Sequence, residues 1–125
     1  MISWDFGLIN ALKEKINWEI YPSESPEEVE CPYLILEIGE TKYRFDHTVL
    51  AEVDLRIIDS EKPSIRSYEL FKKLQKISME DLVLRSGGIE FGKAAMQIDR
   101  IVTVKNNQII KLITIIKLKN MGEKC

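Results

Sequence analysis

The stretch that decides the fold is Gln108–Lys119, QIIKLITIIKLK, in a chain of 125 residues. Its apolar residues alternate with a period of two and are largely β-branched, which predicts a long strand. Ile110, Leu112, Ile116 and Leu118 share one face, while three isoleucines share the other face with lysines. Because both faces are partly apolar, we expect a helix to cover one face and a neighbouring subunit to cover the other. The alternative is that the strand is prone to aggregation.

Period-two patterns earlier in the chain supply the rest of a sheet. The predicted strands are Tyr33–Ile38, Ala51–Ile58, Leu82–Leu84 and Met96–Lys105. The first of these is almost continuously apolar, which favours a central position, and Gly39 ends it. In the last strand, Ile98, Val102 and Val104 are predicted to share one side.

Two amphipathic helices are predicted from apolar residues at helical spacing. The first covers Asp5–Ile16, with a stripe of Leu8, Ile9, Leu12 and Ile16. The second covers Ser64–Ile77, with apolar positions at Ile65, Tyr68, Leu70, Phe71, Leu74 and Ile77. The order of elements predicts an α+β fold with one mostly antiparallel, mixed sheet and two helices packed on one face.

The chain is expected to form a single domain over residues 1–125, because its length matches the common size of one domain. Residues 18–32 contain three prolines and several glutamates, and we interpret them as an extended acidic arm that is either a solvated connector or a contact surface. A polar loop is predicted over Gly39–Val49, with a short ribbon at Tyr43–Asp46 as an alternative for part of it, and a frayed tail is predicted over residues 120–125.

The overall composition excludes several classes of protein. Apolar residues make up 45% and charged residues 30%, which is typical of a globular domain. No apolar run reaches the ~20 residues of a membrane helix, and the start of the chain has no secretory pattern. The net charge of −2 argues against general nucleic-acid binding. Cys31 and Cys125 are expected to be free thiols, with a disulfide as the alternative.

The motif Gly87–Lys93 satisfies the GxxxxGK spacing of a phosphate-binding loop. However, Ala94 stands where a magnesium-binding hydroxyl is needed, and Glu90 would place a carboxylate inside an anion cradle. A glycine-rich hairpin loop is therefore favoured over a nucleotide site. His47, the only histidine, has no nucleophile elbow to serve and is expected to be exposed. The sequence predicts no catalytic, cofactor or metal site.

Charge is divided unevenly along the chain. Between Lys15 and Lys42 there is no basic residue, but Glu19–Glu40 contains seven glutamates. The basic residues of the final segment are Lys105, Lys111, Lys117, Lys119 and Lys124. Opposite charge at the two ends favours head-to-tail association between copies of the chain.

Several quoted segments resemble the small tail-completion proteins of long-tailed phages. The opening match comprises Ile20-Tyr21-Pro22, Pro26 and the run PYLILEIGE at Pro32–Glu40. Members of that family begin with a helix, pass through a proline-punctuated arm, and enter a strand of this type. An amphipathic helix and a final hairpin follow, here Ser64–Ile77 and Met96–Lys119. The resemblance extends over roughly Leu8–Leu118.

The resemblance implies a structural role without catalysis. Such tail terminators cap the tail tube, stop its polymerisation and form the end that docks onto the head, usually as rings and often as hexamers. The implied partners are copies of the chain, a tail-tube protein and a head-completion or connector protein, with no membrane and no direct nucleic-acid recognition. The implied location is the virion tail, and the bacterial cytoplasm during assembly; the source would be a phage, a prophage or a gene-transfer particle.

If this role is right, the contacts with other subunits or with the tube should use two sets of residues. The first lies in the predicted loop and the second on the partly apolar face of the last strand: Tyr43, Arg44, Phe45, His47, Ile109, Ile113 and Ile115. A small α+β adaptor that binds another protein is the alternative function.

Overall fold

The described part of the chain, residues 4–22, 32–44, 46–59, 65–104 and 107–119 of this computed structural model, forms two helices and six strands. In chain order they are α1 (Trp4–Ile16), β1 (Ile20–Pro22), β2 (Tyr33–Tyr43), β3 (Thr48–Ile58), α2 (Ile65–Ile77), β4 (Leu82–Ser86), β5 (Ile89–Val104) and β6 (Asn107–Leu118). The strands form one sheet in the order β1-β2-β3-β6-β5-β4, antiparallel except for the β1–β2 pair. The predicted α+β class with a mixed sheet is confirmed.

The strand predicted from the QIIKLITIIKLK stretch, β6, lies inside the sheet. It pairs with β3 on one side and β5 on the other along almost its whole length. Leu112, for example, lies opposite both Val53 and Ile98. The even-numbered apolar residues Ile110 and Ile116 are fully buried. The predicted alternation of β6 is therefore confirmed, with one face in the core.

Both helices contribute apolar side chains to the same core. The stripe predicted in α1 is buried, and Leu70, Leu74 and Ile77 of α2 are buried as well. The ammonium of Lys73 donates a 3.1 Å hydrogen bond to the carbonyl of Ile16, where α1 ends. A cation at this position satisfies a terminal carbonyl and opposes the negative end of the helix dipole, so it ties the two helices together.

Tyr68 does not belong to the buried stripe of α2, so that prediction is wrong. At about 100° per residue, Tyr68 lies roughly 200° from Leu70 around the helix axis, and its side chain is exposed. The ammonium of Lys72, one turn further along, lies 4.7 Å from the centre of the tyrosine ring. The ring thus forms a cation–π pair on the solvent side of α2.

The predicted loop Gly39–Val49 is also wrong, because most of it is a hairpin. β2 continues past Gly39 to Tyr43 through a register shift between Ile38 and Thr41, and β3 already begins at Thr48. The extra residue of a bulge interrupts the period of two, so the sequence pattern fades at this point although the pairing resumes. Only the tight turn that follows Tyr43 remains outside the two strands.

A second register shift, between Ile98 and Arg100 of β5, corrects another prediction. Ile98 lies opposite the buried Leu112, whereas Val102 lies opposite Ile109 on the other face of the sheet. The bulge moves every later residue of β5 to the opposite face, so Ile98 and Val102 do not share a side. β5 also begins earlier than predicted, at Ile89.

The first part of the predicted acidic arm joins the sheet. β1 runs parallel to the start of β2, and the amide of Leu34 donates a 2.8 Å hydrogen bond to the carbonyl of Glu19. Pro22, which has no amide hydrogen to donate, ends this short edge strand. The remainder of the arm (23–31), the tail (120–125), Cys31 and Cys125 lie outside the described residues.

Thr114 offers a test of the core. It lies on the buried face of β6 between Ala51 and Met96, fully buried, and its hydroxyl has no hydrogen-bond partner within the described part of the chain. Because an unpaired buried hydroxyl costs free energy, Thr114→Val should raise the free energy of unfolding by about 1 kcal/mol.

Chemical denaturation measures this change, and Thr103→Val is the matched control. Thr103 is an exposed threonine on the neighbouring strand β5, so its replacement reports only the strand propensity of valine. A loss of stability in Thr114→Val relative to this control would contradict the burial of an unsatisfied hydroxyl.

Candidate interaction surface

The face of β6 that points away from the core forms the centre of what we call the open face of the sheet. The register of β3, β6 and β5 places its residues in rows that cross the three strands. Those rows are Leu50–Ile115–Ala95, Glu52–Ile113–Gln97, Asp54–Lys111–Arg100 and Arg56–Ile109–Val102. Of these residues, the sequence predicts only the isoleucines as interface residues. Their neighbours across the strands depend on the register, and the sequence does not show where the bulges shift it.

Two isoleucines form an apolar ridge in the middle of the open face. Ile113 is 49% exposed and Ile115 is 41% exposed, although both belong to a strand that is bonded on both sides. Leu50 beside them is half-buried, as is Ile109 further along the strand. Single exposed apolar residues are common on protein surfaces, but this continuous group on a rigid strand is typical of a contact surface.

The two sides of the ridge carry opposite charge. On β2 and β3 the open face has four carboxylates against two cations; the residues are Glu37, Glu40, Glu52, Asp54, Lys42 and Arg56. On β6 and β5 it has four cations, with one carboxylate at the bulge; the residues are Lys93, Arg100, Lys111, Lys117 and Asp99. Of the two oppositely charged tracts predicted from the sequence, Glu37 and Glu40 of the acidic one and Lys111 and Lys117 of the basic one lie on opposite sides of this face.

Some of these charges are paired within the chain. Lys111 donates to Asp54 at 3.1 Å across the β3–β6 boundary, and Arg56 lies 3.1 Å from Glu37. Glu52, Lys93 and Lys117 form no ion pair with another described residue. Charges without an internal partner are the ones available to attract another molecule.

Shallow grooves flank the ridge on both sides. The groove on the basic side has a volume of about 520 Å³, and its charged lining consists of three lysines and one aspartate, Lys93, Lys117, Lys119 and Asp81. The groove on the acidic side has a volume of about 190 Å³, and its charged lining consists of two glutamates and one lysine, Glu40, Glu52 and Lys42. The open face therefore presents an apolar ridge between an acidic and a basic depression.

The β2–β3 turn holds the other predicted interface residues. Arg44 and His47 are exposed there, as predicted for the histidine, and Phe45 is not among the described residues. The carbonyl of His47 accepts a 2.9 Å hydrogen bond from the amide of Leu118, which fixes the turn against the end of β6. A φ of 63° at His47 and an Asp46 carboxylate that accepts from the Thr48 amide at 3.3 Å shape the turn.

Tyr43 does not share the open face with the isoleucines. It lies opposite Val49, on the other face of the sheet, and its hydroxyl accepts a 3.3 Å hydrogen bond from the indole of Trp4 in α1. The predicted interface residues thus fall into two groups, the ridge of β6 and the turn, with Tyr43 on the side of α1.

The GxxxxGK motif is a hairpin, as predicted. Gly87 and Gly88 adopt φ values of 59° and 81° in the turn between β4 and β5, a conformation that favours glycine. Gly92 lies within β5, where a Cβ would approach the carbonyl oxygen of Lys117 to 2.8 Å. Ala94 is buried in the core opposite Ile116. Each glycine is therefore explained by chain geometry without a phosphate.

The residues that the structure describes contain no cluster of three or more metal-ligating side chains. Neither described helix has the length and apolar character needed to cross a membrane.

Comparison with known proteins supports the fold and goes no further. No protein-family model matches the chain, and no curated protein matches it. One solved structure is similar over 98% of this chain and 100% of its own, with a TM-score of 0.53 and 11% sequence identity. At that identity the similarity shows a shared fold alone.

Glu90, at the start of β5, supplies a test of the basic groove. The ammonium of Lys119, which lines the groove, bonds the Glu90 carboxylate and holds the pKa of that carboxyl below its ordinary value. Because the pKa is lower in the folded state, the pair stabilises the fold above the ordinary carboxyl range, and this contribution is lost as the pH falls through the folded-state pKa.

We expect Lys119→Met to raise the pKa of Glu90 toward its ordinary value, as measured by NMR titration. Asp46 is the internal control, because hydrogen bonds from Thr48 lower the pKa of its carboxyl and no contact with Lys119 contributes. An unchanged pKa at Glu90 in the variant would show that the ion pair does not form in solution.

Proposed function

We propose that this protein is a phage-type tail terminator, which caps the tail tube, stops its polymerisation and forms the end that docks onto the head. It acts as a ring of identical copies, and hexamers are the common form among the proteins it resembles. Its partners are the tail-tube protein and a head-completion or connector protein. It assembles in the bacterial cytoplasm and remains in the virion tail.

The order of elements supports this proposal. A first helix, a proline-punctuated arm and a PYLILEIGE strand precede the α2 helix and the final hairpin of β5 and β6. These are the features on which the resemblance to tail-completion proteins rests.

The single observation that carries the proposal is the exposed ridge of Ile113 and Ile115 between oppositely charged strands. A protein that works by binding other proteins needs such a surface, and a ring needs patches that complement one another. The exposed turn beside the end of β6 supplies a second contact region, with Arg44 and His47.

We further propose that both helices cover one face of the sheet and leave the opposite face free for assembly. Buried side chains of α1 and α2 belong to one cluster with the even-numbered residues of β6, which supports this arrangement. The exposure of the odd-numbered Ile113 and Ile115 supports it from the other side.

Capping of tail tubes tests the proposal directly. The tail-tube protein of the same phage or prophage is polymerised with and without the purified chain, and tube lengths are measured by electron microscopy. We expect shorter tubes with a ring of extra density at one end, because a bound terminator blocks addition of further tube subunits.

Ile113→Asp should abolish capping, whereas Ile89→Asp should retain it. Ile89 is a comparably exposed isoleucine at the β4–β5 hairpin, away from the ridge, so it controls for the added charge. Tubes of unaltered length and without end density in the presence of the wild-type chain would contradict the proposal and favour a protein-binding adaptor.

A further inference from the structure

We infer that, in the free protein, the open face binds a second copy of this chain about a two-fold axis that runs along β6. The inference does not rest on the proposed function, because it follows from the pattern of the open face alone. If the proposed ring or the tail tube uses the same ridge, formation of the dimer and that contact exclude each other.

The apolar ridge is self-complementary under this symmetry. An axis over β6 brings Ile113 and Ile115 of one copy against the same residues of the other copy, so both ridges leave water together. The half-buried Leu50 faces the small Ala95 of the partner copy, because the two lie in one row on opposite sides of β6. A large residue is thus matched with a small one at the edge of the ridge.

The charges select the direction of the axis. Rotation about an axis along β6 exchanges the two sides of the sheet, so β3 of one copy lies over β5 of the other. Asp54 then faces Arg100, and Glu52 faces Gln97. Lys111 and Lys117 of β6 face their own counterparts near the axis, but Lys111 is already paired with Asp54, and Lys117 lies at the end of the strand. An axis across the strands at Ile113 would instead place Glu52 over Glu52 and would separate Asp54 from Arg100, which is less favourable.

The available area fits a weak, reversible dimer. Three strands spaced by ~4.8 Å and nine residues of β6 at ~3.3 Å each give a face of roughly 14 by 30 Å. Two such faces bury about 860 Å² in total, which is below the ~1,200 Å² of a stable specific interface and in the range of weak, transient contacts. Because the same patch serves both copies, the contact closes at two and leaves no free patch for a third copy.

Sedimentation equilibrium tests this inference on the full chain, whose mass is 14.5 kDa. We expect twice that mass at tens of micromolar, with dissociation on dilution. Ile113→Asp should weaken the dimer by about tenfold or more, since it places a charge in the apolar ridge. The milder Ile113→Thr keeps a β-branched residue in the strand and should weaken it less, and Ile89→Asp should leave it unchanged.

Paired substitutions at Gln97 test the axis. Gln97→Lys places a cation opposite Glu52 of the partner copy and should tighten the dimer by roughly two- to fivefold, and Gln97→Glu should weaken it. With an axis across the strands, β5 would face β5, and the added lysine would weaken the dimer.

A mass of one chain throughout this range would overturn the inference, as would a dimer that tolerates Ile113→Asp or is weakened by Gln97→Lys. Species larger than two copies would overturn the closed two-fold contact. These results remain separate from the proposed function, because a monomer that still caps tubes contradicts the dimer alone, and a dimer that does not cap contradicts the terminator alone.

Discussion

A strand in the middle of a sheet has two faces, and a single core covers only one of them. β6 is bonded to β3 and β5, so it cannot rotate to hide the isoleucines on its second face. Its even-numbered residues secure the core with α1 and α2, and this fixes the odd-numbered residues Ile113 and Ile115 outward. The exposed ridge is therefore a direct consequence of the strand that holds the fold together, and no described part of the chain covers it.

The opposite charges on the two sides of the ridge favour one orientation of a molecule that binds there. Internal pairs such as Lys111–Asp54 neutralise the centre, while Glu52 on one side and Lys93 and Lys117 on the other form no ion pair among the described residues. Charge of this kind contributes more to orientation than to affinity, which comes from the apolar ridge. The proposed two-fold dimer and the proposed ring at the end of a tail tube would both use this combination.

Much of the fold could be predicted from periodicity, but the register could not. Both helices, the core stripe of α1 and the two faces of β6 follow from local patterns. The bulges near Gly39 and Asp99 each insert one residue, and the sequence carries no mark of where the alternation changes face. The loop predicted over Gly39–Val49 and the common side predicted for Ile98 and Val102 failed for this reason.

The candidate surface was predictable only in part for the same reason. Ile113 and Ile115 could be identified within one strand, but their neighbours Glu52 and Gln97 come from strands whose register only the structure gives. The sequence predicts Tyr43 in a loop or a short ribbon, whereas it belongs to β2 and pairs with Val49 of β3 on the other face of the sheet.

Hydroxyl-radical footprinting over a range of protein concentrations tests the central claim most directly, because it measures whether the ridge becomes covered. The account predicts that Ile113 and Ile115 lose oxidation as the concentration rises, while the exposed Ile89 on the β4–β5 hairpin is oxidised equally throughout. Equal oxidation of all three isoleucines at every concentration, and also in the presence of the tail-tube protein, would contradict it.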